Sequence, residues 1–217
     1  MAWNLPIVCV ITRARGETGS AERGRLLQRL SEAADAGASI VQVRERQLDD
    51  RRLAGFVGEV KAAIGRTSAR VLVNDRTDIA LAAGADGVHL KSDGPPMSDV
   101  RRIVRGPFVI GRSVHSVAEA AAAARDGCDY LLFGTVFPSR SKPDSHPIAG
   151  VAELADVCRA VAVPVIAIGG ITPERAAAVR EAGAAGVAAI SLFADAPDTG
   201  AVVAALRSAL TLPRGNV

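Results

Sequence analysis

Residues 73–90 read VNDRTDIALAAGADGVHL. Val73 closes an apolar run, Arg70–Val73, too short to stand as a helix. Asn74-Asp75 interrupts it, and Arg76–Ala83 follows as an Ala-rich amphipathic stretch. Gly84 lies just past that stretch, where a left-handed cap is needed, and a second apolar run, Gly87–Leu90, starts almost at once. Strand, helix, capping glycine and strand are thus packed into a short span. The same idiom recurs in DAGAS (Asp35–Ser39), RDGCDY (Arg125–Tyr130) and EAGAAGV (Glu181–Val187). A strand that returns parallel through a helix requires a right-handed crossover.

Extended outward, the pattern fills the chain. Strands are expected at Ile7–Ile11, Ser39–Val43, Arg70–Val73, Gly87–Leu90, Phe108–Gly111, Tyr130–Phe133, Val163–Ile168 and Gly186–Ile190. Helices are expected near Ala21–Ala36, Leu48–Ala63, Arg76–Ala83, Ser98–Val104, Val117–Arg125, Val151–Val161, Pro173–Ala182 and Gly200–Leu210. Such strand–helix units in series, with no linker between them, predict an α/β protein: residues 1–217 as a single (β/α)8 TIM barrel with its site at the C-terminal ends of the strands. The alternative is an open doubly wound sheet. That fold tends to carry a glycine fingerprint after its first strand, where this chain has Thr12-Arg13-Ala14-Arg15.

Composition narrows the function. Apolar residues make up 49% of the chain and aromatic ones 3%, so the core is aliphatic, as strands buried on both faces require. A net charge of +3, with no basic run, gives no case for nucleic acid. Cys9, Cys128 and Cys158 are odd in number, widely spaced and without a CxxC pair, which favours reduced thiols over a disulfide or zinc site. The first residues lack a basic leader, and no apolar run approaches the roughly 20 residues that cross a bilayer. The expectation is a soluble, cytoplasmic protein, with no membrane partner and self-association left open.

The strand ends are polar or glycine where the strand bodies are not. Gln42, Arg44 and Arg46 end the second; Asn74, Asp75 and Arg76 the third; His89, Lys91, Ser92 and Asp93 the fourth; Arg112, Ser113 and His115 the fifth. Gly169-Gly170 ends the seventh and Ser191 the eighth. Arg44 and Arg46 share a parity and can face one way, and their planar forks suit phosphate oxygens. Arg46 could instead pair with Glu45 or Asp49. Asp75 fits either a helix cap or a magnesium ligand completed by substrate phosphate. Gly169-Gly170 before Thr172-Pro173 offers bare backbone N–H groups, and loops seven and eight form the usual phosphate cup of this barrel. His89 and His115 read as structural groups rather than general bases.

After the sixth strand comes the longest irregular segment. DYLLFGTVFPSRSKPDSHPIAG (Asp129–Gly150) places Ser139, Arg140, Ser141, Lys142, Asp144, Ser145 and His146 between prolines. Hydroxyls and cations together suit an anion. Two anion sites across one mouth, around Arg44, Asn74, Asp75 and Lys142 and around Gly170 and Ser191, point to a transferase that releases pyrophosphate.

VQVRER (Val41–Arg46), VNDRTDIALAAGADGVHL, GRSVHS (Gly111–Ser116), GTVFPSRSK (Gly134–Lys142), PVIAIGGITPE (Pro164–Glu174) and GVAAIS (Gly186–Ser191) resemble, in order, the blocks of the thiamine phosphate synthase family and its thiazole tautomerase relatives. The resemblance implies joining of hydroxymethylpyrimidine diphosphate to hydroxyethylthiazole phosphate, with magnesium, and loss of pyrophosphate. It casts Arg44, Asn74 and Lys142 as diphosphate ligands with Ser113 near the diphosphate, and Gln42 and Arg46 as substrate-binding residues. Asp75 and Asp93 become magnesium ligands, Ser139, Ser141, Gly170 and Ser191 ligands of the thiazole phosphate, and Ile190 a further substrate-binding residue. Arg44, Ser113 and Lys142 would carry the chemistry. This chain departs from the pattern in Arg46, where a lysine is usual, and in LKSDG (Leu90–Gly94), which shortens the metal-bearing loop. Thr135 matches neither branch: the tautomerase has a histidine there and the synthase a proline. The tautomerase and a silent phosphate-binding regulator remain the alternatives.

Overall fold

The computed structural model describes residues 3–13, 20–139, 143 and 145–211. Eight strands run β1 Ile7–Ile11, β2 Ile40–Val43, β3 Arg70–Asn74, β4 Gly87–Leu90, β5 Val109–Val114, β6 Tyr130–Phe133, β7 Val165–Ile168 and β8 Gly186–Ala189. Each pairs parallel with the next, and β8 pairs with β1, so the sheet closes into a barrel. Helices α1 Ser20–Asp35, α2 Asp50–Ile64, α3 Thr77–Ala82, α4 Met97–Ile103, α5 Val117–Arg125, α6 Gly150–Ala160 and α7 Pro173–Glu181 each follow a strand. After β8 come a short turn of helix, α8 Ser191–Ala194, and then α9 Thr199–Thr211. α9 packs against both α1 and α7 and completes the outer ring. This is the expected (β/α)8 barrel, and the open sheet is excluded.

Period-two alternation along each strand sorts the aliphatic residues into two cores. Ile7, Cys9, Ile11, Ile40, Leu72, Val109, Tyr130, Leu132, Ile166 and Ala188 fill the barrel interior. Val8, Val10, Val41, Val43, Val71, Val73, Leu131, Phe133 and Val187 face outward and pack under the helices. Trp3 sits edge-on to Tyr130 at 5.8 Å, with the Arg70 guanidinium 5.0 Å from its ring. The capping glycines of the recurring idiom adopt the left-handed backbone it demands, as at Gly84 with φ 63°.

Three local expectations change. β5 continues past Gly111 to Val114, so Arg112 and Ser113 belong to the strand and point to opposite sides of it. α8 is four residues long, too short to carry a readable period. Asp75 does not cap α3: Arg76 occupies the cap position, with no side-chain cap bond, while Asp75 stands at φ 59°.

Candidate active site

The alternation that builds the core also aims polar residues up its axis. Gln42, Asn74, His89 and Ser113 continue the inward parity of Ile40, Leu72, Gly87 and Val109. They open into a cavity of about 540 Å3 at the C-terminal strand ends. Its wall includes Gln42, Arg44, Arg46, Asn74, Asp93, Ser113, Ser139, Gly170, Ile190 and Ser191. Ile11, Leu132, Ile168 and Ala188 supply an apolar floor. An adjoining hollow of about 480 Å3 shares Arg44, Arg46 and Asn74 and adds Asp75. The structure therefore gathers these residues in one mouth, while Ser141 and Lys142 lie outside the described residues.

One rim is cationic. The Arg44 backbone N–H donates to the buried Thr12 Oγ1 at 2.9 Å, fixing where the side chain leaves β2. Burial, then the neighbouring Arg46 and Arg13, lower the Arg44 pKa, an arrangement that favours an incoming anion. Gln42 Nε2 donates to Asn74 Oδ1 at 2.9 Å. Gln42 Oε1 is buried with no hydrogen-bond partner among the described residues, an acceptor in place for a ligand donor.

Asp75 is held beside these cations by the ends of β3 and β4. Its backbone N–H donates to His89 O at 2.8 Å. One carboxylate oxygen accepts from the Lys91 N–H at 3.4 Å, and the other pairs with the Lys91 ammonium. A positive φ is unfavourable for a non-glycine residue, though aspartate tolerates it better than most. Arg76 is engaged elsewhere, bridging Asp50 and Asp78 at 2.6 Å each. Among the described residues no cluster of three or more histidine, cysteine or acidic side chains could hold a metal alone. One or two carboxylates completed by substrate phosphate is nevertheless the donor set that suits magnesium; Asp75 supplies one from the smaller hollow, while Asp93 lines the larger cavity.

Arg112 points outward and braces the loop bearing Asp93. Its guanidinium donates to Ser92 O at 3.2 Å, Gly94 O at 3.3 Å and Pro95 O. Lys91 and Arg112 were readable only as polar strand-end residues. A salt bridge in one case and a brace in the other depend on neighbouring loops.

Opposite the cations, the chain after β6 packs onto the end of β7. Val136 N–H donates to Ile168 O at 2.9 Å and Phe137 N–H to Gly169 O at 3.0 Å. Gly170 stands at φ 61°, and an added Cβ would lie 2.3 Å from Pro138 O, so no other residue fits unchanged. Arg175 donates to Gly170 O at 2.7 Å and covers the Phe137 ring at 5.0 Å. Thr135 Oγ1 is 3.1 Å from His146 Nε2, which brings His146 back to the mouth.

His115 Nδ1 donates to Gly134 O at 2.6 Å, and its own N–H donates to Glu119 Oε2 at 2.9 Å. Both ring nitrogens of His89 are engaged internally: Nδ1 lies 2.9 Å from the Tyr130 hydroxyl and Nε2 2.9 Å from Ser113 Oγ. Burial, reinforced by Arg112 and opposed by Asp75, pulls the His89 pKa from 6.5 down to about 3. The unfolded chain therefore takes up this proton below pH 6.5 and the folded chain does not until about pH 3. Stability falls as pH drops through that window, by up to about 1.4 kcal/mol per pH unit from this group. Urea unfolding at two pH values inside the window should show a weaker pH dependence for His89→Gln than for the wild type.

Burial also raises the pKa of Cys9, and those of Cys128 and Cys158 to about 11, so these free thiols are poor nucleophiles. No helix among the described residues is long and apolar enough to cross a membrane.

The family model for thiamine monophosphate synthase matches residues 8–193. A thiamine-phosphate synthase of Methanoculleus marisnigri is 40% identical over 216 residues, covering 100% of this chain and 99% of that protein. One from Roseiflexus castenholzii is 42% identical over 203 residues, covering 92% and 86%. The solved thiamine phosphate pyrophosphorylase from Pyrococcus furiosus superposes with a TM-score of 0.81 at 31% identity, over 94% of this chain and 95% of that one.

Proposed function

The chain belongs to the thiamine monophosphate synthase family, and we propose that it condenses hydroxymethylpyrimidine diphosphate with hydroxyethylthiazole phosphate to give thiamine phosphate and pyrophosphate. The observation that carries this reading is one cavity with two rims of different anion chemistry. Arg44, Arg46 and Lys91 surround Asp75 on one side, and Gly169-Gly170 and Ser191 lie on another. The apolar floor between them suits two flat heterocycles.

In this reading Arg44 and Arg46 grip the diphosphate with planar forks, and Asn74 and Ser113 add neutral donors. Gln42 Oε1 accepts from the pyrimidine amino group. Asp75, with Asp93 from the wall of the larger cavity, would hold magnesium, which neutralises diphosphate charge when bound. The carbon–oxygen bond to the diphosphate breaks with both electrons leaving on pyrophosphate. The thiazole nitrogen then donates its lone pair to the pyrimidine methylene carbon. No proton must be removed, so the protein's task is positioning and charge stabilisation. This fits a site whose deepest histidine has both ring nitrogens occupied. Reduced thiols agree with a cytoplasmic setting. The test is the reaction itself, with the purified chain, both phosphorylated substrates and magnesium.

A further inference from the structure

We infer that His89 is a positioning residue, held by the Tyr130 hydroxyl in the tautomer that makes Ser113 a hydrogen-bond donor toward the oxyanion in the mouth. The inference rests on the pyrophosphate-releasing reading for the identity of that oxyanion. The hydrogen-bond directions rest on geometry alone.

Tyr130 is fully buried inside the barrel, and its ring occupies the space left by Gly111, where a Cβ would lie 2.1 Å from Tyr130 Cζ. Burial raises the Tyr130 pKa well above its usual value, so the hydroxyl keeps its proton. Among the described residues the hydrogen-bond partner of that hydroxyl is His89 Nδ1, at 2.9 Å. If Nδ1 carried a proton, the phenol proton would be left in an apolar interior without an acceptor, which is costly. Nδ1 is therefore the acceptor. The neutral ring then carries its proton on Nε2, which donates to Ser113 Oγ across 2.9 Å. With Oγ already accepting from below, the Ser113 proton is directed to the cavity that Ser113 lines. A protonated ring would leave the same phenol proton stranded.

The chain Tyr130 → His89 → Ser113 thus runs from the barrel core to the mouth, each member donating to the next. A purely structural histidine would fill the same space but need not hold one tautomer or matter to an anion. His89→Gln can offer an amide N–H near the Nε2 position, whereas His89→Leu fills the space without a donor.

Two measurements test this. In the wild type, imidazole 15N spectra are expected to show His89 protonated on Nε2 alone, with Tyr130→Phe giving mixed tautomers. Titration with inorganic pyrophosphate and magnesium should show about tenfold weaker binding for His89→Leu, consistent with loss of a charge-assisted hydrogen bond. His89→Gln should recover most of that loss, and His89→Leu should add little in a Ser113→Ala background. A proton on His89 Nδ1 in the wild type would overturn the inference. So would absence of pyrophosphate binding, equal binding by the Leu and Gln variants, or losses that multiply in the double variant. Both readouts proceed without turnover, so failure to form thiamine phosphate would count against the proposed reaction and leave the tautomer and its coupling to Ser113 to be decided separately.

Discussion

Asp75→Asn is expected to lower magnesium-dependent turnover by about a hundredfold or more, the scale at which loss of one preorganised electrostatic group acts. Asparagine is a cleaner replacement than alanine because Asp75 sits at φ 59°, a backbone conformation asparagine tolerates and alanine resists. The fold should hardly notice. Asp75 caps no helix, and the Lys91 ammonium it releases is half exposed. Unfolding free energy is therefore expected to stay within about 0.5 kcal/mol of wild type. Steady-state rates across a magnesium series, with urea unfolding of the same samples, separate the two effects. Normal turnover in the variant would leave Asp75 as no more than a partner for Lys91.

Lys142→Ala is expected to cost turnover on the same scale while leaving thiazole phosphate affinity nearly unchanged. Lys142 lies outside the described residues, and its role rests on the match of PSRSK to the family and on reach. Ser139 already lines the cavity, and the chain from there to Lys142 can span at most about 10 Å. An ammonium meeting pyrophosphate gains strength as negative charge grows on the leaving group, so its contribution is larger in the transition state than in the bound substrate. An enzyme that only isomerises a thiazole phosphate releases no pyrophosphate and would lose far less. Rate and thiazole phosphate affinity, measured on one preparation, distinguish the cases.

Much of the scaffold was legible in the chain because a barrel of this kind repeats one unit. The cap glycines at 37, 84, 127 and 183 mark where helices end, and the inward parity of Gln42 and Asn74 follows from two-residue alternation. What escaped notice depends on contacts between distant residues. His89 and Tyr130 are 41 residues apart, and only the register of β4, β5 and β6 brings them into contact. Ser113 and Arg112 looked alike as polar residues after an apolar run. Extension of β5 sends one into the mouth and the other to the carbonyls of the 92–95 loop. Asp75 was compatible with capping by residue type, but its backbone angle and its place between β3 and β4 give it to the cavity rim.

The most direct test of the account is to supply the purified protein with hydroxymethylpyrimidine diphosphate, hydroxyethylthiazole phosphate and magnesium, and to follow thiamine phosphate and pyrophosphate together. The two products should appear in equal amounts, and neither should form when the thiazole phosphate or the magnesium is withheld. Thiazole isomerisation without pyrophosphate release, or binding of both substrates with no product, would contradict it.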